Sequence, residues 1–169
     1  HYAVWEYAYP EARAAKIREF VAFAKEFGFR KFVACLRTES GQFQPPPLHA
    51  DQFGFNAPVV EEMKRRHGVD IRTDARFDIA SPSWNPMDPM VESWRHLRGG
   101  HLTRFYRELR LALDAVAPGI EVAVQIPGDR VGSCLGNWVI DWKAWIEEGL
   151  VQEIVLGVPL DNGEFAGST

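Results

Sequence analysis

Hydrophobic positions recur along the chain with two different spacings, and these predict helices that alternate with strands. After Pro10, apolar side chains recur every three to four residues as far as Gly28, which predicts a helix. Residues 31–39 (KFVACLRTE) alternate between two faces, a pattern typical of a strand. Residues 40–56 contain three consecutive prolines and no hydrophobic period, so we expect a long loop there.

The following segments repeat this order of helix and strand. Residues 57–67 form a predicted helix capped by Asn56, and residues 69–87 form a second loop. A longer helix is predicted from residue 88 to about residue 116, with an apolar stripe in its second half and a weak point at Gly99–Gly100.

Two further strands flank a short helix in the last third of the chain. Residues 120–126 (IEVAVQI) alternate clearly between branched and other side chains. A helix capped by Asp141 and ended by Gly149 precedes a third strand over residues 151–160. Strands separated by helices need crossover connections, which predicts an α/β fold with a parallel sheet. Three strands are few for such a sheet, so either other strands lie in the loops or the chain is part of a larger barrel.

Composition and charge exclude several classes of protein. The chain has 169 residues, 46% of them hydrophobic, and a net charge of -4, which is ordinary for a globular domain with one sizeable core. A nucleic-acid partner normally requires a basic excess, and none is present. No apolar run approaches the roughly 18 residues of a membrane span. The two cysteines predict no disulfide framework, and we recognise no basic-then-apolar leader pattern before the first predicted helix, so the compartment is not indicated.

Polar residues follow the predicted end of each strand, which is where parallel α/β proteins carry their catalytic and ligand-binding residues. Arg37 and Glu39 project to the same side of the first strand, with Gln42 shortly after them. Such a pair suits acid/base work or hydroxyl binding, but it also suits a salt bridge that orders the loop.

Polar residues also lie at or after the predicted ends of the second and third strands. Gln125 lies on the face opposite the branched residues, where a barrel would have its lumen. Asp129, Asp161 and Glu164 follow the strand ends in sequences that are also typical of turns, so a structural role is open for each of them.

The long loops add groups of the kind that bind sugars. His49 and Asp51 lie among amides and phenylalanines, and Trp84 offers a flat face in the second loop. Hydrogen-bonding groups beside aromatic faces are what sugar recognition requires. His49 and Asp51 also resemble two metal ligands, but no third ligand follows at a defined spacing, so we expect no metal and no other cofactor.

Several stretches share the pattern of one protein family. They are residues 7–13 (YAYPEAR), 36–39 (LRTE), 94–98 (WRHLR), 103–109 (TRFYREL) and 141–151 (DWKAWIEEGLV). Together they resemble the family-10-like group of bacterial glycosyl-hydrolase-like TIM-barrel proteins. The stretch W-x-x-W-x-x-x-G followed by a strand is the most specific part of this likeness.

The resemblance implies a parallel-stranded (β/α) barrel, here a partial TIM barrel with about half of the eight βα units. Residues 1–169 would then be one segment of a larger catalytic domain, with the rest of the barrel as a partner. It also implies a glycoside hydrolase that acts on a polysaccharide or oligosaccharide through two carboxylates. By analogy Glu39 is the general acid, and Asp161 or Glu164 is its partner.

Other residues are then expected to hold the sugar, and two rival functions stay open. The expected substrate-binding residues are Arg37, Gln42, His49, Asp51, Trp84, Gln125, Asp129 and Glu164. The first rival is a carbohydrate-binding module without catalysis, and the second is a scaffold piece whose strand-end charges only pair with one another. A secreted or periplasmic location follows from the resemblance alone, since the chain carries no signal peptide.

Overall fold

Five strands and four α-helices form the regular structure of the residues that the structure describes. The computed structural model describes residues 6–35, 50–127, 134–135 and 138–157. Its helices are α1 (Pro10–Phe27), α2 (Ala57–His67), α3 (Pro89–Val116) and α4 (Trp142–Glu147). Its strands are β1 (Lys31–Cys35), β2 (Glu121–Pro127), β3 (Cys134–Leu135), β4 (Trp138–Val139) and β5 (Glu153–Gly157). Short 3-10 helices span Ala50–Gln52 and Ala75–Phe77.

β1, β2 and β5 form a parallel sheet with β2 in the centre. Lys31 pairs with Glu121, and Ala123 pairs with Glu153. Parallel neighbours start at the same edge of a sheet, so the chain must return through helices between them. β3 and β4 form a separate antiparallel pair that the hydrophobic pattern did not predict.

The prediction of a (β/α)-barrel fold is wrong. In the part of the chain that the structure describes, the sheet is open, and β1 and β5 each pair with β2 alone. A barrel closes only when every strand has a neighbour on both sides. The hydrophobic pattern predicts where strands lie and which face is apolar, but it does not predict closure.

The main core lies between one face of the sheet and helices α1, α3 and α4. Val122, Val124 and Ile126 are fully buried on this face, as their alternation predicts. α3 contributes a stripe of buried side chains from its second half, namely Leu102, Phe105, Tyr106, Leu109 and Leu113. From α4, Trp145 is also fully buried and donates its indole N–H to the Thr103 hydroxyl at 2.8 Å.

A second core surrounds the first half of α3 and contains no strand residue. It consists of Ala8, Val59, Val60, Met63, Ile71, Phe77, Val91, Trp94 and Leu97. Trp94 is fully buried at its centre, with the Phe77 ring edge-on at 5.7 Å and Phe55 at 5.1 Å. α3 therefore joins two cores, one packed on the sheet and one packed on α2 and the loops.

Two details of helix structure differ from the sequence-based expectation. α3 runs without a break through Gly99–Gly100, although a weak point was predicted there. Asn56 stands at the start of α2 as expected, but its side chain does not cap the helix. Instead its amide donates to Glu6 Oε2 at 2.8 Å, which ties the N-terminal segment to α2. Among the helices of the described residues, none has the length and hydrophobicity needed to cross a bilayer.

Candidate functional site

The first half of α3 lies beyond the carboxyl edge of the sheet. α3 has 28 residues and β2 has 7, so the helix is about 42 Å long and the strand about 23 Å. α3 ends at Val116 and β2 begins at Glu121, which places the end of the helix at the amino edge of the sheet. The second half of α3 covers the strands, so its first half projects past their carboxyl ends. Ligands of open α/β sheets bind on that side.

A buried charged pair occupies the junction between the two cores. Arg98 of α3 is 5% exposed, and its Nη2 donates to Glu6 Oε2 at 3.1 Å. The guanidinium also lies 5.5 Å from the centroid of Trp138 in β4. Burial lowers the pKa of Arg98, while the charge of Glu6 opposes that shift. The pair therefore joins the N-terminal segment, α3 and the β3–β4 hairpin.

The backbone of Gly54 lies directly against the Arg98 guanidinium. A Cβ added at Gly54 would lie 2.5 Å from Arg98 Cζ, and the φ of Gly54 is +100°, which side-chain-bearing residues rarely adopt. The carbonyl of Gly54 accepts the indole N–H of Trp94 at 3.3 Å. Glycine at this position lets the loop before α2 close over the arginine.

A second ion pair holds the loop that contains Asp51. The Asp51 carboxylate is 2% exposed and accepts hydrogen bonds from Nε and Nη2 of Arg95, one turn before Arg98 on α3. Arg95 also donates to the Pro86 carbonyl at 2.8 Å. Fork-shaped arginine–carboxylate pairs are among the strongest charge-assisted contacts. Asp51 is therefore held as a hydrogen-bond acceptor at a fixed position.

A buried histidine links α3 to α2. His101 is 5% exposed, and its Nε2 lies 3.3 Å from Glu62 Oε2. Burial lowers the pKa of His101, and the nearby Glu62 only partly opposes this shift. The imidazole therefore favours its neutral form inside the protein.

A cavity of about 550 Å³ opens beside Asp51, between the loop before α2 and residues 71–81. This volume lies within the range of natural small-molecule sites. Its walls combine hydrogen-bonding side chains with two phenylalanines. The lining includes Asp51, Gln52, Arg72, Thr73, Asp74, Asp78, Ser81, Phe55 and Phe77. We call it the aromatic–acidic cavity.

The charged residues among those that line the aromatic–acidic cavity are Asp51, Asp74, Asp78 and Arg72. Hydrogen bonds from Arg76 lower the pKa of Asp74, so that carboxylate stays ionised in neutral solution. Asp78 accepts the backbone N–H of Ala80 at 2.9 Å. Fixed carboxylates accept hydrogen bonds from hydroxyl groups, and phenylalanine rings contact the C–H faces of a sugar ring.

Three of the predicted site residues fall in the described part of the chain, and the structure separates them. Asp51 lines the aromatic–acidic cavity. Trp84 is half-buried and ends a turn that begins at Ser81, a lining residue, but it is not itself part of the wall. Gln125 lies on β2, half-buried on the sheet face opposite the main core.

The remaining predicted site residues lie outside the described residues. They are the two proposed catalytic carboxylates, Glu39 and Asp161, and the binding residues Arg37, Gln42, His49, Asp129 and Glu164. Their assignments stay predictions. In the described ranges, no group of three or more His, Cys, Asp or Glu side chains has an arrangement that suits a metal ion.

The sequence analysis did not identify Arg98, Glu6 or His101. A signal was nevertheless present, because Arg98 and His101 follow Trp94 and Leu97 at four-residue spacing on α3. A charged side chain on the apolar stripe of a helix must be buried with a partner. Glu6 carried no comparable signal, since its partner lies 92 residues away.

Comparisons with known proteins leave the family open. No family model, no curated protein and no solved structure matches this chain. The function proposed below therefore rests on the chemistry of the residues described above and on the sequence pattern.

Proposed function

We propose that the protein binds a carbohydrate in the aromatic–acidic cavity and hydrolyses one of its glycosidic bonds. The observation that carries this proposal is the wall of the cavity, where Asp78, Thr73 and Ser81 stand beside Phe55 and Phe77. This combination offers acceptors and donors to sugar hydroxyls, and the half-buried Phe55 offers apolar surface to the ring, whereas Phe77 is 3% exposed and belongs to the second core. The cavity also lies on the side of the molecule where α/β sheets bind their ligands.

Glu39 and Asp161 are the carboxylates that we propose for the chemical step. The Glu39 carboxyl protonates the glycosidic oxygen as the bond to the anomeric carbon breaks. The Asp161 carboxylate either attacks that carbon, forming a glycosyl ester that water then hydrolyses, or removes a proton from a water molecule that attacks the carbon. Both residues follow a strand of the parallel sheet in the sequence, which supports a position at the same edge.

Carbohydrate binding without hydrolysis is the second candidate. Two carboxylates of the cavity wall favour this candidate, because each already has an arginine partner: Asp51 is bound by Arg95 and Asp74 by Arg76. A general acid at neutral pH needs a raised pKa, and arginine partners have the opposite effect. The pKa of Asp74 is lowered by Arg76, so this carboxylate suits the binding of hydroxyls and does not suit proton donation, while Asp51 is buried and already engaged by Arg95.

One set of variants separates the two candidates. The full chain is incubated with a panel of neutral oligosaccharides, and the release of reducing ends is measured alongside binding by calorimetry. If the protein is a hydrolase, Glu39→Gln and Asp161→Asn each lower the rate at least 100-fold while binding persists. Glu11→Gln, an exposed change in the first turn of α1, is the matched control and leaves the rate unchanged.

The outcomes are distinct for each candidate. Binding without release of reducing ends supports the binding module, and the hydrolase proposal is then wrong. Hydrolysis that is unchanged in both carboxylate variants removes Glu39 and Asp161 from the mechanism. Absence of binding to every oligosaccharide overturns both candidates.

A further inference from the structure

We propose that this chain forms a twofold dimer in which the β1 strands of two copies pair antiparallel and join their sheets. The observations are the outer edge of β1 and a cluster of exposed phenylalanines beside it. Neither belongs to the aromatic–acidic cavity, so the dimer does not depend on the proposed function.

The backbone of Val33 points towards the outer edge of β1. Glu121 donates its N–H to the Arg30 carbonyl at 2.9 Å, which shows that the backbone groups of residue 30 face β2. Backbone groups alternate sides along a strand, so those of Lys31, Val33 and Cys35 face away from β2. In the described part of the chain, no strand covers that edge. Such an edge is a template for pairing with another strand.

The sequence of β1 is complementary to itself when Val33 lies on the twofold axis. Val33 then pairs with Val33 of the second copy and exchanges two hydrogen bonds with it, as outward-facing backbone groups require. Phe32 of one copy lies opposite Ala34 of the other in a non-hydrogen-bonded pair, where the two Cα atoms are closest. A large side chain therefore meets a small one. Lys31 lies opposite Cys35, so the pairing places no like charges together.

Exposed aromatic side chains extend this surface beyond the strand. Phe23, Phe27 and Phe29 are 49%, 55% and 48% exposed, and their rings form a chain of contacts that continues to Phe32. Val33 is also 55% exposed, but it lies on the opposite face of β1 and is not part of this patch. Isolated exposed apolar residues are ordinary, but a contiguous patch next to a strand edge is typical of an interaction surface.

The area of the patch indicates a weak dimer. Three half-exposed phenylalanines offer about 300 Å² per copy, hence about 600 Å² in a symmetric pair. A stable specific interface buries about 1,200 Å² or more, so the patch supplies about half and strand pairing supplies the remainder. With Val33 on the axis, the aromatic patch of each copy lies at one end of the paired strands, so a twofold interface contains the patch twice. We expect a dissociation constant in the micromolar range.

Sedimentation equilibrium of the full chain across micromolar concentrations tests the proposal. We expect the wild type to dimerise as its concentration rises. Val33→Pro removes an outward-facing N–H that β2 does not use, and proline is tolerated at such edge positions. It should weaken the dimer at least tenfold. Phe27→Glu, on α1, should weaken it similarly without any change in a strand.

Leu111→Glu is the matched control, since Leu111 is 73% exposed on α3 and lies outside the aromatic patch. It should leave the dissociation constant unchanged. If Val33→Pro fails to fold, as judged by circular dichroism, Phe27→Glu decides the outcome. A wild type that stays monomeric at all concentrations overturns the proposal. A dimer that is equally strong in the folded variants overturns it as well.

Discussion

Gly99 of α3 lies against the carbonyl oxygen of Val139 in β4, so close that an added Cβ would lie 1.7 Å from that oxygen. The neighbouring atoms belong to the backbone, which cannot move aside as a flexible side chain does. This contact holds the β3–β4 hairpin on α3 and keeps Trp138 beside Arg98. Gly99 is therefore required for packing, although glycine within a helix is normally unfavourable.

Replacing Gly99 with alanine should destabilise the protein. The methyl group has no room, so the hairpin must move away from α3, at a cost of about 2–3 kcal/mol in the free energy of unfolding. Gly100→Ala is the matched control, because nothing lies within 4 Å of a Cβ at that position. It should stabilise the helix by about 0.5–1 kcal/mol. Urea denaturation of both variants measures the difference, and equal effects would contradict the close contact.

The charged pair at the junction of the two cores makes a second prediction. Glu6→Ala removes the carboxylate that accepts hydrogen bonds from Arg98 and Asn56. The Arg98 guanidinium then stays buried with less compensation of its charge. We expect the free energy of unfolding to fall by about 3 kcal/mol in thermal or chemical denaturation.

An exposed ion pair serves as the comparison for that experiment. Lys16 and Glu19 lie one turn apart on α1 with their side chains 32% and 46% exposed. Glu19→Gln should change the free energy of unfolding by less than about 1 kcal/mol. If Glu6→Ala were as mild as Glu19→Gln, the cluster around Arg98 would not hold the N-terminal segment in place.

Protonation of His101 should make stability depend on pH. Burial lowers its pKa in the folded state, so the unfolded chain binds the proton more tightly. Stability is therefore full above the ordinary pKa near 6.5 and falls as the pH drops below it. The free energy of unfolding stops falling once the pH is below the pKa of His101 in the folded state. Between the two pKa values it changes by at most about 1.4 kcal/mol per pH unit. The charged groups that face His101 are Glu62, Glu6, Arg104 and Arg13, and the two carboxylates moderate this loss.

His101→Gln should flatten the stability profile in the range just below about pH 6.5. The paired carboxylates of Asp70 and Asp74 have lowered pKa values, so their contribution is lost only in more acidic solution. Denaturation midpoints across this range measure both slopes. If the wild type and His101→Gln had the same slope, the imidazole would not be the group that titrates.

The helices could be predicted from the sequence because each has a local signal. Asp88 and Asp141 accept backbone N–H groups at the starts of α3 and α4, and Gly28 ends α1 in the left-handed conformation, as such residues do elsewhere. The β3–β4 hairpin could not be predicted, since two-residue strands are too short to show a period of two. Within the described residues, the three strands of the parallel sheet begin within two residues of the predicted positions, but the barrel was wrong, because closure depends on which strands become neighbours.

The candidate site was harder to predict than the fold. Asp51 was singled out from the loop composition, and the structure places it in the cavity wall. Its partner Arg95 lies 44 residues further along the chain, and no local pattern connects them. Arg98 was overlooked because charged residues on a helix are usually assigned to the solvent face. Long-range pairs of this kind depend on tertiary packing and not on spacing.

Asp78 allows the cavity itself to be tested. Its carboxylate is exposed at the wall of the aromatic–acidic cavity, so it can accept a hydrogen bond from a bound sugar. We expect Asp78→Ala to weaken oligosaccharide binding about tenfold in calorimetry. Asp114→Ala, an exposed change on α3 outside the cavity, should leave the affinity unchanged. Equal affinities in all three proteins would place the binding surface elsewhere.

The most direct measurement is an NMR titration of the full chain with neutral oligosaccharides. If the aromatic–acidic cavity binds carbohydrate, the backbone resonances that shift will cluster at Gln52, Thr73, Asp78 and Ser81. The exposed resonances of α1 will stay in place at ligand concentrations that saturate those shifts. Shifts that centre on another surface, or no shifts with any oligosaccharide, would contradict the proposed function.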